Sequence, residues 1–419
     1  MIHASIATQL ASASAVSTHV DPVMAAETVA EQAEGRLTEG CCDLALLFAS
    51  GGHAQHLSEM TEVVRRILGP GSLLAVTAEG VVGTGQELER TDAVSLLALS
   101  MPGTTIQPFT YQQLPHADPS DRASLGRLGE AIGAGRDLRG VLMFADPFSV
   151  PAASVLTAIS ALPKVIPGLK RAPVLGGLAS LAPAPGTNTL VVNDEVLRSG
   201  AVGVSIRGDI AIDTMVSQGC RPISTPLIVT KARRNILQEL GGRRALDVVR
   251  EMVEALDESD KRLVAGGLFF GRAVSEYRER FGRGDFLVRT VMGVDQESGA
   301  IAVGDAVRVG QTVQFHLRDA QTASEDLHML LTAQRLQSPP VGALLTTCTG
   351  RGSRLFAHKN HDAAAISETI QTPTGEPVPT AGFFASGEFG PIGNESFLHG
   401  HTASAGFFRA KPYRNADDD

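Results

Sequence analysis

Apolar runs of strand length recur along this chain, and one arrangement of them is written twice. Residues 43–50 (DLALLFAS) lead to Gly51-Gly52, a helix-like stretch, a second run ending in Ala78-Glu79-Gly80, and a third run at 93–100. Residues 341–349 lead to Gly350-Arg351-Gly352, a helix-like stretch, a second run ending in Ser386-Gly387-Glu388-Phe389-Gly390, and a third run at 402–408. Short apolar runs bounded by glycine predict strands, with helices covering one or both faces of their sheets, and a 3.6-residue period between them predicts helices. Recurrence of the whole order predicts internal duplication.

Two further copies lie between these. One has a strand at 141–145, a helix at 152–162 opened by Asp146-Pro147, a return strand at 173–180, and a closing hairpin of 190–192 with 201–206. The other begins with a strand at 263–270, continues through a short helix at 273–280, and ends with strands at 286–294 and 312–317. A strand at 5–17 and a helix opened by Asp21-Pro22 and running to Leu37 precede the first copy. Strands at 223–230 and 236–240 and an amphipathic helix at 244–256 precede the third, and a helix near 323–336 bridges to the fourth. Parallel strands need a helical crossover, so these units predict a mixed α/β fold. The expected architecture is two duplicated halves, each a mixed β-sheet with covering helices built from two strand-helix-strand-strand units. The expected domains are residues 1–216 and 217–410, followed by an acidic tail at 411–419.

Composition narrows the function classes. The 419 residues are 43% hydrophobic and 19% charged, which suits a globular protein with a sizeable core. A formal charge of -9 argues against nucleic-acid binding, and the absence of Trp with only three Tyr argues against a base-stacking platform. Four cysteines, two of them adjacent at Cys41-Cys42, do not make a disulfide framework. The N-terminus has no basic n-region of a signal peptide, and no run reaches the roughly 18 apolar residues of a membrane span. A cytoplasmic location is expected.

Three segments carry candidate chemistry. Gly219-Cys220-Arg221-Pro222 joins the halves and reads either as a turn with a buried Cys or as the lip of a ligand cleft between domains, with Arg221 as a forked donor. A catalytic thiol at Cys220 is the least favoured reading, since no His is near it in sequence. Gly350-Arg351-Gly352-Ser353-Arg354 lies between a strand and an expected helix, where free N–H groups and two guanidinium groups suit a carboxylate or phosphate. It reads equally as a glycine-permitted turn with solvated arginines. Glu388, between Gly387 and Gly390 and followed by Asn394, sits where backbone approaches a ligand closely, and Glu79 is its counterpart in the first copy. Such a carboxylate accepts from a ligand amine, from Arg351, or from its own backbone. His53 with His56, His358 with His361, and the alternating His399 and His401 raise metal or haem ligation as an alternative, without the Glu or Cys partners of a zinc motif.

Four stretches in this order resemble a known family: VSQGCRPIS (216–224), VQFHLRDA (313–320), TCTGRGSRLF (347–356) and AGFFASGEFGPIGNESFLHGHTASAGFF (381–408). They are similar to the signatures of the FIST family of intracellular sensory domains, over almost the whole chain. The resemblance implies a small-ligand-binding sensor rather than an enzyme, with amino acids as the ligand class. No resident cofactor is expected; the alternatives are haem for nitric oxide sensing, or a protein-interaction scaffold without a ligand. With no kinase, cyclase or methyl-acceptor segment in the sequence, a separate signalling protein is the expected partner. The site residues expected to bind the ligand are Gly219, Cys220, Arg221, Pro222, Gly350, Arg351, Gly352, Arg354, Gly387, Glu388, Gly390 and Asn394.

Overall fold

The computed structural model describes residues 9–37, 41–278, 280–282 and 284–411. They divide into two compact units: Met1–Val216 with Met329–Leu398 and Ala403–Asp419, and Ser217–His328 with His399–Thr402. The boundary between Val216 and Ser217 is one of several, because residues from 329 onward return to the unit that begins at the N-terminus.

That first unit repeats one plan, strand–helix–strand–helix–strand–hairpin–strand. The first copy is β1 (Ala11–Ser17), α1 (Pro22–Glu34), β2 (Leu44–Ser50), α2 (Leu57–Leu68), β3 (Ser72–Ala78), hairpin β4 (Gly80–Gly83) with β5 (Gln86–Glu89), and β6 (Ala93–Ser100). The second is β7 (Thr104–Thr110), α3 (Arg122–Ala131), β8 (Leu138–Ala145), α4 (Ala152–Ser160), β9 (Val174–Leu178), hairpin β10 (Leu190–Val192) with β11 (Glu195–Leu197), and β12 (Ala201–Gly208). The last copy opens with β13 (Ile210–Gln218) and is interrupted by the second unit. That insert holds β14 (Cys220–Pro222), β15 (Leu227–Arg233), β16 (Ile236–Leu240), β17 (Arg243–Arg244), α5 (Ala245–Glu254), α6 (Glu258–Ala265), β18 (Phe269–Ala273), β19 (Phe286–Val294), β20 (Ile301–Val303) and β21 (Thr312–Arg318). The copy resumes with α7 (Ala320–Gln334), β22 (Gly342–Cys348), α8 (His361–Thr369), β23 (Thr380–Ala385), hairpin β24 (Glu388–Ile392) with β25 (Glu395–His399), and β26 (Thr402–Ala410).

Each copy makes a mixed sheet, and each completes it with another copy's hairpin. The strand orders are β1-β6-β2-β3-β10-β11, β7-β12-β8-β9-β24-β25 and β13-β26-β22-β23-β4-β5. Hairpins are therefore traded around a ring: first copy to third, third to second, second to first. Within each sheet a parallel pair (β2/β3, β8/β9, β22/β23) is joined by a helical crossover, as parallel pairing requires. The pairs β2/β3 and β22/β23 are buried along their whole length, which is why they read as unbroken apolar runs. Where the sheets meet, Phe48, Phe144 and Phe383 form a trio with ring centroids 5.3–5.5 Å apart. One apolar cluster there draws on all three sheets.

The insert forms a separate antiparallel structure. Its strands run β14-β21-β15-β16-β20-β19-β18, and β18 also pairs with β21, which closes six of them into a barrel. Val229, Leu237, Phe270, Ile301, Val303, Val313 and Phe315 form its core with Leu246 and Val249 of α5.

The mixed α/β class is the one the sequence predicts, but the copies group differently. Three are complete and equivalent, whereas the segment expected to be the third copy is part of the barrel. Residues 258–265 are helical where a strand is expected from 263, because Asp257 caps them with a 2.8 Å bond from the Asp260 N–H. The expected helix at 273–280 is absent among the described residues, and 269–273 pair with β19 and β21 instead. The expected hairpin of 190–192 with 201–206 is likewise not formed: β10 pairs with β3 and β12 with β8. Asp21 caps α1 as expected, accepting from Met24 at 3.0 Å. Residues 5–8 of the expected first strand and 412–419 of the expected tail lie outside the described residues.

Candidate ligand-recognition site

At the carboxyl ends of β22 and β23, charged side chains form two layers. The deep layer centres on Arg351, which the strand's end and the following turn place in the interior, fully buried. Its Nε and Nη2 donate to both oxygens of Asp362 at 2.7 and 2.8 Å. Asp362 lies in the first turn of α8, also accepts from Thr347 Oγ1 at 2.7 Å, and has His361 Nδ1 at 2.9 Å. The His361 ring stacks on Phe356, and the Arg351 guanidinium lies 5.2 Å from the Phe356 centroid. Glu87 of β5 closes the layer, its Oε1 accepting from the N–H groups of Asp362 and Ala363 at 2.9 and 3.0 Å. Those are free donors of the helix N-terminus, a natural seat for a carboxyl group.

The layer holds one guanidinium and two carboxyl groups, and burial sorts their protonation. Burial raises Glu87 to about 8, with the nearby Asp362 charge adding to it. Burial alone would raise Asp362 too, but the Arg351 charge outweighs it and holds Asp362 well below the usual carboxylate range. Arg351 stays charged, since Asp362 more than offsets its desolvation. Among the described residues, Arg351 Nη1 and Glu87 Oε2 have no hydrogen-bond partner.

The outer layer is partly exposed. Arg354 makes a two-toothed ion pair with Glu79, Nη1 to Oε2 at 3.0 Å, and also donates to the Thr349 carbonyl at 2.6 Å. Beside it the Ser353 N–H and hydroxyl both donate to Glu89 at 2.8 Å, and Arg90 reaches the Ser353 hydroxyl at 3.1 Å. Gly352 makes this packing possible. Its φ is +54°, and a Cβ there would lie 2.6 Å from the Glu89 carboxylate and 2.9 Å from Phe384.

The sequence-predicted residues are thus divided. Gly350, Arg351, Gly352 and Arg354 do share one site. Arg351, however, is engaged by the protein's own carboxylate, so it does not offer its fork to a ligand. Glu388 is elsewhere: its hairpin joins the second copy's sheet, where it stands buried opposite Gly177. Gly387 contributes its carbonyl to Leu178 N–H at 2.8 Å, and Gly390 leaves room for Val216 and Ser404. Asn394 is an exposed residue of the turn between β24 and β25. In the barrel, Cys220 packs with Phe269 and Val288, and Arg221 is held by Asp260 and by Asp319 at 3.1 Å. Pro222 pairs with His316 across the sheet, and Gly219 bonds to His401 and Asp319 through its backbone. Of Glu388 and its counterpart Glu79, it is Glu79 that meets an arginine of the 350–354 turn, Arg354.

Sequence reasoning does not point to Asp362, Glu87 or Glu89, and it names Ser353 only as part of the 350–354 segment. Glu87 and Glu89 are two apart on a strand and so share a face, a signal the sequence carries. What it does not carry is that β5 belongs to another copy's sheet.

Three of the histidines that raised haem ligation are engaged by the protein itself. His53 Nε2 bonds the His19 carbonyl at 2.8 Å, His56 pairs with Glu59, and His361 is taken by Asp362 and Phe356. Nε2 of the buried His316 packs over Gly271, where an added Cβ would lie 2.5 Å from it. Among the described residues no group of three or more His, Cys, Asp or Glu is placed to hold a metal ion.

Comparison with known proteins agrees with the motifs. The FIST N domain matches residues 43–243 and the FIST C domain residues 245–391. The chain belongs to the FIST family. It is 38% identical over 397 residues to the uncharacterized protein Rv0628c of Mycobacterium tuberculosis, covering 94% of this chain and 98% of that one. It is 36% identical over 396 residues to the uncharacterized protein Mb0898c of Mycobacterium bovis, covering 94% and 97%. FIST domains are associated with sensory and signal-transduction roles. The boundary between the FIST N and FIST C matches falls at the start of α5, inside the barrel, whereas the charged layers draw on both matched regions. No described helix is long and apolar enough to cross a membrane.

Proposed function

We propose that this protein is a cytoplasmic sensor, not an enzyme, that recognises a small zwitterion, an amino acid being the simplest, by exchange into the Arg354–Glu79 ion pair. The observation that carries the reading is the pair itself: a complementary cation and anion, partly exposed, standing on a buried charged floor at the carboxyl ends of parallel strands. Ligands of open α/β sheets bind at such strand ends. An incoming carboxylate takes the place of Glu79 on Arg354, and the ammonium group takes the place of Arg354 between Glu79 and Glu89. Charge is conserved in the exchange, so no ion is left unpaired. Gly352 lets the turn lie close against this position.

Glu79 immediately precedes β4, and Glu87 and Glu89 lie on β5, so all three acids ride on one hairpin. A ligand that parts Glu79 from Arg354 loosens one of the hairpin's polar attachments to the third copy, and a separate signalling partner reads the change. Titration calorimetry with the common amino acids, on the full chain and on Arg354→Ala, tests the proposal. Heat with one of them, lost in the variant, supports it; no heat with any of them removes the ligand class.

A further inference from the structure

Among the described residues, the three copies place three equivalent strands, β1, β7 and β13, at the edges of their sheets. Exposed edges invite pairing with other chains and are ordinarily blunted by proline or charge. β7 carries Pro108. β13 carries Asp213, ion-paired with Arg409 at 2.8 Å. β1 reads ASASAVS, with neither device.

The β1 edge also lines a groove of about 830 Å³. Gln32 and Arg36 of α1 stand on its walls, as do Thr84, Gln86, Glu376 and Pro377. Arg36 Nη1 donates to the Ser14 carbonyl at 3.0 Å, so the main chain of Ser14 points away from β6. In an antiparallel pair this direction alternates, so Ser12 and Val16 point outward as well. No strand pairs with these outward groups among the described residues, and no carboxylate pairs with Arg36 among them.

We infer that β1 is a strand-addition site for an extended, proline-free segment of a partner protein, carrying an acidic side chain opposite Arg36. Main-chain pairing with Ser12, Val16 and the Ser14 N–H supplies affinity, and the Arg36 cation, which covers the Ser14 carbonyl in the free chain, turns to the acidic position. At about 3.3 Å per residue the paired stretch is about five residues long. Small serine and alanine side chains on β1 let the added strand approach.

The test is a phage-displayed library of random peptides, each about twelve residues, long enough to span the paired stretch, selected on the full chain. Enriched peptides are synthesised, titrated by fluorescence anisotropy, and followed by residue-resolved hydrogen exchange. The expected peptides share an acidic residue in a proline-free stretch, and Arg36→Glu, with unchanged melting, weakens them roughly tenfold or more. Amides of Ser12, Ser14 and Val16 exchange rapidly in the free chain and become protected in the complex. The inference is overturned if no peptide is enriched, if protection falls elsewhere, or if Arg36→Glu binds equally well. It is overturned too if these amides are already protected in a chain that sediments as a dimer, since a second copy then fills the groove.

Discussion

Glu79 and Arg354 lie 275 positions apart in the chain, and they meet because the first copy's hairpin is the edge of the third copy's sheet. The same exchange carries Glu388, the equivalent carboxylate of the third copy, into the second copy's sheet. Copies that are equivalent by sequence therefore present their acids to different partners.

The outer pair contributes recognition more than stability. Partly exposed ion pairs are worth about 1 kcal/mol or less. Glu79→Gln and Arg354→Ala should each change the urea midpoint little, while abolishing the amino-acid heat. A double-mutant cycle by urea unfolding checks the first statement and calorimetry the second; retained heat in Arg354→Ala would place recognition elsewhere.

The deep pair behaves in the opposite way. Asp362→Asn leaves Arg351 buried without its counter-charge, and losses of about 3–5 kcal/mol are usual for such changes. Replacing both at once, Arg351→Met with Asp362→Leu, should recover most of that stability, because no uncompensated charge remains. Equal destabilisation of the single and double variants would show that the pair's geometry, not its charge balance, matters.

Glu87 sets a pH dependence of unusual sign for a carboxyl group. Its folded pKa lies above its unfolded value, so the folded state binds the extra proton between about 4.5 and 8. That contribution is complete below the unfolded pKa and is lost as pH rises towards 8. Asp362, held low, acts in the other direction and only in acid: its contribution is present above the usual carboxylate range and is lost as pH falls. Glu87→Gln should flatten the decline between pH 5 and 8, which removes a slope of up to about 1.4 kcal/mol per pH unit. Urea unfolding at several pH values measures this, and an unchanged slope in the variant would sink the assignment.

Two left-handed glycines separate conformational strain from crowding. At Gly352, with φ +54°, a Cβ would strike Glu89 and Phe384, whereas at Gly393, with φ +63°, it would meet nothing within 4 Å. Gly393→Ala should lose about 1 kcal/mol from the left-handed backbone alone. Gly352→Ala should lose clearly more in thermal unfolding, and should also weaken ligand binding by displacing Glu89. Equal losses would show that the turn relaxes.

Much of the plan is legible in the sequence because buried parallel strands announce themselves as unbroken apolar runs. The runs at 43–50, 93–100 and 341–349 contain β2, β6 and β22. The barrel is harder to read: β18, β19 and β21 mix apolar and polar residues, and the Leu263-Val264-Ala265 run that resembles a strand ends a helix capped by Asp257. The site is half legible for a related reason. Glycines and arginines at 350–354 mark a polar turn, but which acid satisfies which arginine depends on the sheet that each hairpin joins, and no local pattern encodes that. Arg351 invites an anion, and the chain supplies its own in Asp362, eleven residues later.

A ring of traded hairpins has no starting member. Each sheet waits for a strand pair that another copy must already have presented, so no copy can be excised and finish its own sheet. Closure must come late in folding, after contacts spanning hundreds of residues have formed, and such topologies fold slowly. The barrel stands outside that mutual dependence, which explains how more than a hundred residues can interrupt the last copy between β13 and α7 without breaking the ring.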